Sequence, residues 1–172
     1  MKQFLPLIAI AILFFCCSED KTKSELKAQL IKQLKHVHTD QNWFVPTKIA
    51  IEGITAEQSN WKDSSQNHSI GELVSHITFW SKINLRALKG EDKLNFKVDN
   101  ETTFDAFTEN EWNNLVHQLD SIQTEWINVI EKAEDEQLTE WGSEITNMAM
   151  HNAYHTGQII YIRKRNGWWK PK

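Results

Sequence analysis

SIGELVSHITFW, residues 69–80, begins with a helix-start signature and carries a histidine on the side that turns inward. Ser69 followed by Glu72 is the S-x-x-E capping box, in which each side chain bonds a backbone amide that has no partner at the start of a helix. Behind the box, Leu73, His76, Ile77, Trp80, Ile83, Asn84 and Leu88 recur at spacings of three and four. That period puts them on one side of a helix, with His76 among apolar neighbours. Lys89-Gly90 is its natural stop.

The same period recurs on either side. Leu26, Leu30, Ile31, Leu34 and Val37 mark a first helix from about Thr22. It extends, across a kink at Pro46, to Ile51 and ends at Gly53. A polar segment, 57–67, follows, with Trp61 turned inward. Thr108 and Glu111 form a second capping box, opening a third helix through Trp112, Leu115, Leu119, Ile122, Trp126 and Val129 to about Ala133. After an acidic link, 134–140, Ser143 caps a fourth helix with Met148, His151, His155, Ile159 and Ile162 on one face and a stop at Asn166-Gly167. Residues 91–107 show no period. Four amphipathic segments, no strand pair, six glycines and three prolines predict an all-α fold, a four-helix bundle.

The 172 residues, 40% hydrophobic and 24% charged, suit one domain plus a leader, with a core that needs no disulfide or structural metal. Eight tryptophans read first as core. The net charge is −4. Basic residues concentrate only at the end, in Arg163, Lys164, Arg165, Lys170 and Lys172, where they complement a helix C-terminus. An acidic chain without a basic face argues against a nucleic-acid partner.

Residues 1–15, MKQFLPLIAIAILFF, place Lys2 before an apolar run, Phe4 to Phe15, that is shorter than the roughly 20 residues a membrane span requires. It has the layout of a signal peptide and ends at Cys16-Cys17-Ser18, the sole cysteines. Two cysteines there look like a bacterial lipoprotein processing site. Cys17, preceded by the small Cys16, is the preferred lipidated residue; Cys16, preceded by Phe14-Phe15, is the alternative. The expected organisation is a signal peptide over 1–17, a tether over 18–24 and a bundle domain over 25–170. The protein is then exported and anchored by lipid to a membrane of the bacterial cell envelope. No cysteine is left in the domain for a nucleophile or thiolate ligand.

His151 and His155, four apart on a helix, present both imidazoles on one face. The pair alone is weak evidence, but both share the inward stripe, and His76 shares that of another helix. Buried imidazoles require partners, and bundles build metal sites from side chains on facing helices. Three neutral imidazoles suit Zn²⁺, Ni²⁺ or Fe²⁺, with Zn²⁺ or Ni²⁺ preferred, and leave a position for water or substrate. Glu72, one turn before His76, is either an outer acceptor or base for the site or simply the closing residue of its capping box. His36, His38, His68 and His117 read as solvated.

SIGELVSHITFW, with HNAYHTGQI at 151–159 and RKRNGW at 163–168, resembles the DinB-like superfamily, which includes the YfiT-like thiol transferases. The resemblance covers residues 24 to 170. It implies an up-down-down-up four-helix bundle with a divalent metal held near one end by His76, His151 and His155. It further implies metal-dependent thiol S-transfer or related chemistry on a small-molecule substrate, with a low-molecular-weight thiol as partner and with homodimers in many members. An exported location departs from that pattern, because reduced thiol is scarce outside the cytoplasm. Two functions follow. One is a metal-dependent enzyme of S-transferase or hydrolase type, with Glu72 or Tyr154 assisting proton transfer. The other is a non-catalytic lipoprotein that binds metal or a small ligand in the same pocket.

Overall fold

The structure, a computed structural model, describes residues 16–64, 67–91, 99–104 and 107–170, with side chains from residue 25 onward. The leader read at residues 1–15 lies outside the described residues, as do the side chains of Cys16 and Cys17. The described chain forms helices α1 (Cys16–His38), α2 (Thr47–Ile51), α3 (Ala56–Asn60), α4 (Ile70–Leu88), α5 (Glu109–Lys132) and α6 (Asp135–Arg165), with a 3₁₀ turn at Asn100–Thr103. No strand is present among the described residues, and no helix of theirs is long and apolar enough to cross a membrane.

Both predicted capping boxes are formed. Ser69 Oγ accepts from Glu72 N and Glu72 Oε2 from Ser69 N at the start of α4, and Thr108 and Glu111 do the same at the start of α5. The ends predicted at Lys89-Gly90 and Asn166-Gly167 also stand. Gly167 takes φ +70°, and its neighbour Trp168 N donates back to Arg163 O at 2.8 Å.

Three boundaries differ from the sequence expectation. α1 begins at Cys16, so the segment read as a tether is helical. The helix does not continue across Pro46 with a kink. It ends at His38, and the chain restarts at α2 with Pro46 at the N-cap. Proline there lacks the amide a continuous helix would use and pushes Val45 out of the helical region. The acidic link 134–140 is the beginning of α6, not a connection. Asp135 and Glu136 lie in its first turn, where carboxylates offset the positive end of the dipole, and Leu138 is fully buried one turn later.

Each long helix packs against two others: α1 on α5 and α6, α4 on α5 and α6. Directions follow from cross-helix bonds. Lys27 and His38 of α1 meet Glu131 and Asp120 of α5, so these two run antiparallel. Gly71 adjoins Phe107 just before α5, and Ser81 takes hydrogen bonds from Gln123 and Trp126, so α4 and α5 run parallel. Ser81 also meets Asn152, and Leu88 meets Gln137, making α4 and α6 antiparallel. The result is the up-down-down-up bundle. Its parallel α4–α5 pair needs a long return, the stretch from 89 to 108.

Apolar packing divides into two clusters. One gathers Leu34, Leu88, Trp126, Ile130, Leu138 and Ile145; the other gathers Ile70, Leu73, Ile77, Trp112, Leu119 and Ile159. Polar side chains are buried among the same helices. Ser81 Oγ accepts from Gln123 Nε2 at 3.1 Å and Asn152 Nδ2 at 3.2 Å, and Thr47 and Thr156 hydroxyls meet at 2.7 Å. Pairing of this kind is what permits polar groups inside a core. Of the glycines, Gly71 is the one packed closely. A Cβ there would stand 3.0 Å from the Phe107 ring and 3.1 Å from Ser59 O.

Candidate metal centre

α4 and α6 cross with His76 opposite His151 and His155. His151 Nε2 lies 3.1 Å from His76 Nε2 and 3.1 Å from His155 Nε2. The three potential ligand atoms all fall within 4.8 Å of one another. His76 is buried, and the other two are half-buried.

The far sides of two rings fix which nitrogen points at the centre. Thr103 Oγ1 donates to Asn100 O at 2.7 Å, so it accepts from His76 Nδ1, also at 2.7 Å. The Gln158 carboxamide oxygen accepts from His155 Nδ1 at 2.6 Å. Both protons therefore sit on Nδ1, and both Nε2 lone pairs face inward. The third ring has a longer contact, His151 Nδ1 to Asn152 Oδ1 at 3.4 Å. Phe104 stacks on His76 at 4.5 Å and 3°, and on its other face His68 stacks at 3.6 Å and 7°. This sandwich fixes the plane of the His76 ring.

Burial favours the neutral form of each imidazole. His76 is pushed down to about 4, by burial first and then by the neighbouring His155 and His151. His151 and His155 are lowered mainly by burial as well, partly offset by the bonds to Asn152 and Gln158.

A cation fits this arrangement. With Nδ1 protonated on His76 and His155, one proton on His151 Nε2 could satisfy only one of the two facing lone pairs. The other would be left against a neighbour with no donor, a costly state for a group withdrawn from water. A divalent ion satisfies all three. Two imidazole nitrogens bound at 2.0–2.1 Å in tetrahedral geometry stand about 3.3 Å apart, close to the 3.1 Å seen here. Removing the Thr103 acceptor in Thr103→Val should weaken metal affinity by about 10–100-fold. Competition with a chelating dye, with circular dichroism as the folding control, checks this; unchanged affinity would mean that Thr103 does not orient the ligand.

Residues 46–159 match the family model described as the DinB superfamily, about two-thirds of the chain and all three histidines. The chain belongs to the DinB superfamily. Comparison with curated proteins and with solved structures gives no significant match.

The other residues singled out in this DinB-superfamily chain take different places. Glu72 is occupied by its cap. Oε2 accepts from Ser69 N at 2.7 Å, and Oε1 accepts from Lys62 Nζ at 3.0 Å. Although burial works against the charge, the Ser69 amide and Lys62 together hold its carboxyl below the ordinary range. Tyr154 is 65% exposed, with its ring edge-on to His155 at 5.0 Å. His38, read as solvated, is instead buried. Its Nε2 donates to Asp120 Oδ1 at 2.8 Å, because the turn of α1 on which it lies packs against α5. His68, in the Phe104 stack, is half-buried rather than free in solvent. Of the tryptophans, Trp112 and Trp126 are buried, whereas Trp43 is 95% exposed.

An open cleft of about 460 Å³ adjoins the triad, lined by His76 and His151 together with Trp80, Asn84, Asn100, Glu144, Asn147 and Met148. Thr103, Phe104 and Gln158 have roles that sequence reading did not assign. Gln158 could have been found, since it lies three residues after His155 on the same helix face. Thr103 and Phe104 come from a stretch without period, and no sequence signal joined them to His76.

Proposed function

We propose that this DinB-superfamily protein is a divalent-metal-dependent enzyme in which His76, His151 and His155 hold the ion and the adjoining cleft receives a small electrophilic substrate. The observation that carries this reading is the convergence of three imidazole nitrogens beside an open cleft, with two rings anchored at Nδ1 by Thr103 and Gln158. Zn²⁺ or Ni²⁺ suits the all-imidazole donor set. When bound, the ion supplies Lewis acidity, lowering the pKa of water or a thiol at its open position toward neutrality. The protein's own groups do the rest. Thr103, Gln158 and Phe104 orient the rings, and Trp80 and Met148 give the cleft apolar lining beside them. The reaction class is S-transfer with a low-molecular-weight thiol, or hydrolysis where water replaces the thiol. Many DinB-like proteins pair, and a homodimer is part of this reading.

One observation favours a second reading, a lipoprotein that binds metal or a small ligand without turnover. Both carboxylate oxygens of Glu72 are engaged in the helix cap and with Lys62, and Tyr154 stands largely in solvent. Neither is drawn in as a proton carrier. Turnover by the metal-loaded protein separates the two. Zn²⁺- and Ni²⁺-loaded samples are assayed with thiols plus an electrophile, and with activated esters in water. Turnover above a His76→Ala control is expected of the enzyme; none across the panel leaves the binder.

The leader sequence supports export and a lipid anchor at Cys17. Membrane fractionation of the Cys17→Ala variant is expected to move the protein to the soluble fraction. Retention in the membrane fraction, also with Cys16→Ala, counts against lipidation there.

A further inference from the structure

Among the described residues that line the cleft beside the triad, one carries a formal charge, Glu144. Among the described residues, no lysine or arginine lines the cleft. On α6, the neighbours of Glu144 one turn away are Glu140, Trp141, Asn147 and Met148, none of them a cation. Among the described residues its carboxylate has no hydrogen-bond or ion-pair partner. A carboxylate on a helix surface ordinarily gains from a basic residue three or four positions away, and here that pairing is missing. The indole of Trp80 lines the same cleft; its Nε1 donates to Asn100 Oδ1 at 3.2 Å, and the Trp80 backbone carbonyl accepts from Asn84 Nδ2 at 2.8 Å. A carboxylate without a partner among the described residues and an aromatic ring tethered at its N–H, lining one cleft, are a pair of groups that recognises an ammonium ion.

Spacing sets the length of the ligand. Glu144 precedes His151 by seven residues, about 10 Å along the helix axis. A molecule spanning the cleft could place its cationic end at Glu144 while its other end reaches the triad.

We infer that the ligand of this cleft is a small amine-bearing molecule whose ammonium group pairs with Glu144 beside Trp80, with its reacting group several carbon–carbon bonds away, at the three histidines. The position of the reacting group rests on the metal-site reading given above; recognition of the ammonium does not.

Hexylammonium and 1-hexanol, alike in length and differing in charge, are suitable probes. Binding of each to the full-length protein is followed by NMR at the Trp80 indole N–H and the Asn147 carboxamide, with metal content measured separately. Hexylammonium is expected to bind about tenfold more tightly than hexanol, from one ion pair in partial solvent and one cation–π contact. Glu144→Gln should bring the two to parity. Equal affinities in the unaltered protein, a preference that survives Glu144→Gln, or shifts that bypass Trp80 and Asn147 would overturn the inference. Amine preference in a protein that holds no metal would remove the metal reading and leave ammonium recognition standing. Stoichiometric metal with no amine preference would do the reverse.

Discussion

Replacing His151 by alanine is expected to abolish stoichiometric metal binding while leaving the bundle folded. His151 is the middle of the triad, because its Nε2 lies 3.1 Å from each of the other two. Without it, His76 and His155 remain on opposite helices with no ligand between them. Metal binding in comparable small sites is worth on the order of 10 kcal/mol. Losing one ligand of three should therefore weaken affinity by roughly 10²–10³-fold. The fold should survive because His151 is half-buried and belongs to neither apolar cluster. Its neighbour Asn152, whose Nδ2 bonds Ser81 in the buried polar group, is untouched. Metal analysis after dialysis, with circular dichroism on the same sample, gives the answer. A folded variant that keeps one ion per chain would show that the three histidines do not form the site.

Trp126→Ala should produce the largest loss of stability, about 3–5 kcal/mol. Trp126 is 1% exposed and fills the cluster around Leu34, Leu88 and Ile130. Its Nε1 donates to Ser81 O at 3.0 Å, so truncation opens a cavity and removes a donor from a buried carbonyl. Against the 5–15 kcal/mol typical of whole domains, that is enough to unfold a marginal one. Trp43→Ala provides the contrast. At 95% exposed, that ring should change stability by less than about 0.5 kcal/mol. Urea titrations of both variants test the pair, and a loss below about 1 kcal/mol for Trp126→Ala would contradict the packing described.

Some of the structure was legible locally. A capping box depends on two residues three apart, and Ser69/Glu72 and Thr108/Glu111 behave as their sequence says. The apolar period of α4 and α5 likewise needs no knowledge of the rest of the chain. The start of α6 was misplaced because the acidic residues 134–140 resemble a solvated link; it is burial of Leu138 that makes them part of the helix. Trp43 and Trp126 are the same residue type, and only their neighbours make one a core residue and the other a surface residue.

The centre divides in the same way. Helical spacing alone put His151 and His155 side by side, since four residues make roughly one turn of helix. Inward stripes put His76 on the same side of its own helix as the core. Sequence by itself thus determined the ligand candidates, the starts of α4 and α5 and the all-α class. The tertiary structure decided that the antiparallel crossing of α4 and α6 brings the nitrogens to 3.1 Å. It also brought Thr103 behind His76, 27 residues away in a stretch without period, and opened a cleft lined by Glu144 beside the triad. The reason is physical. Periodicity and capping arise within one or two helical turns, whereas a shared metal site depends on how separate helices pack and where the return between α4 and α5 lands.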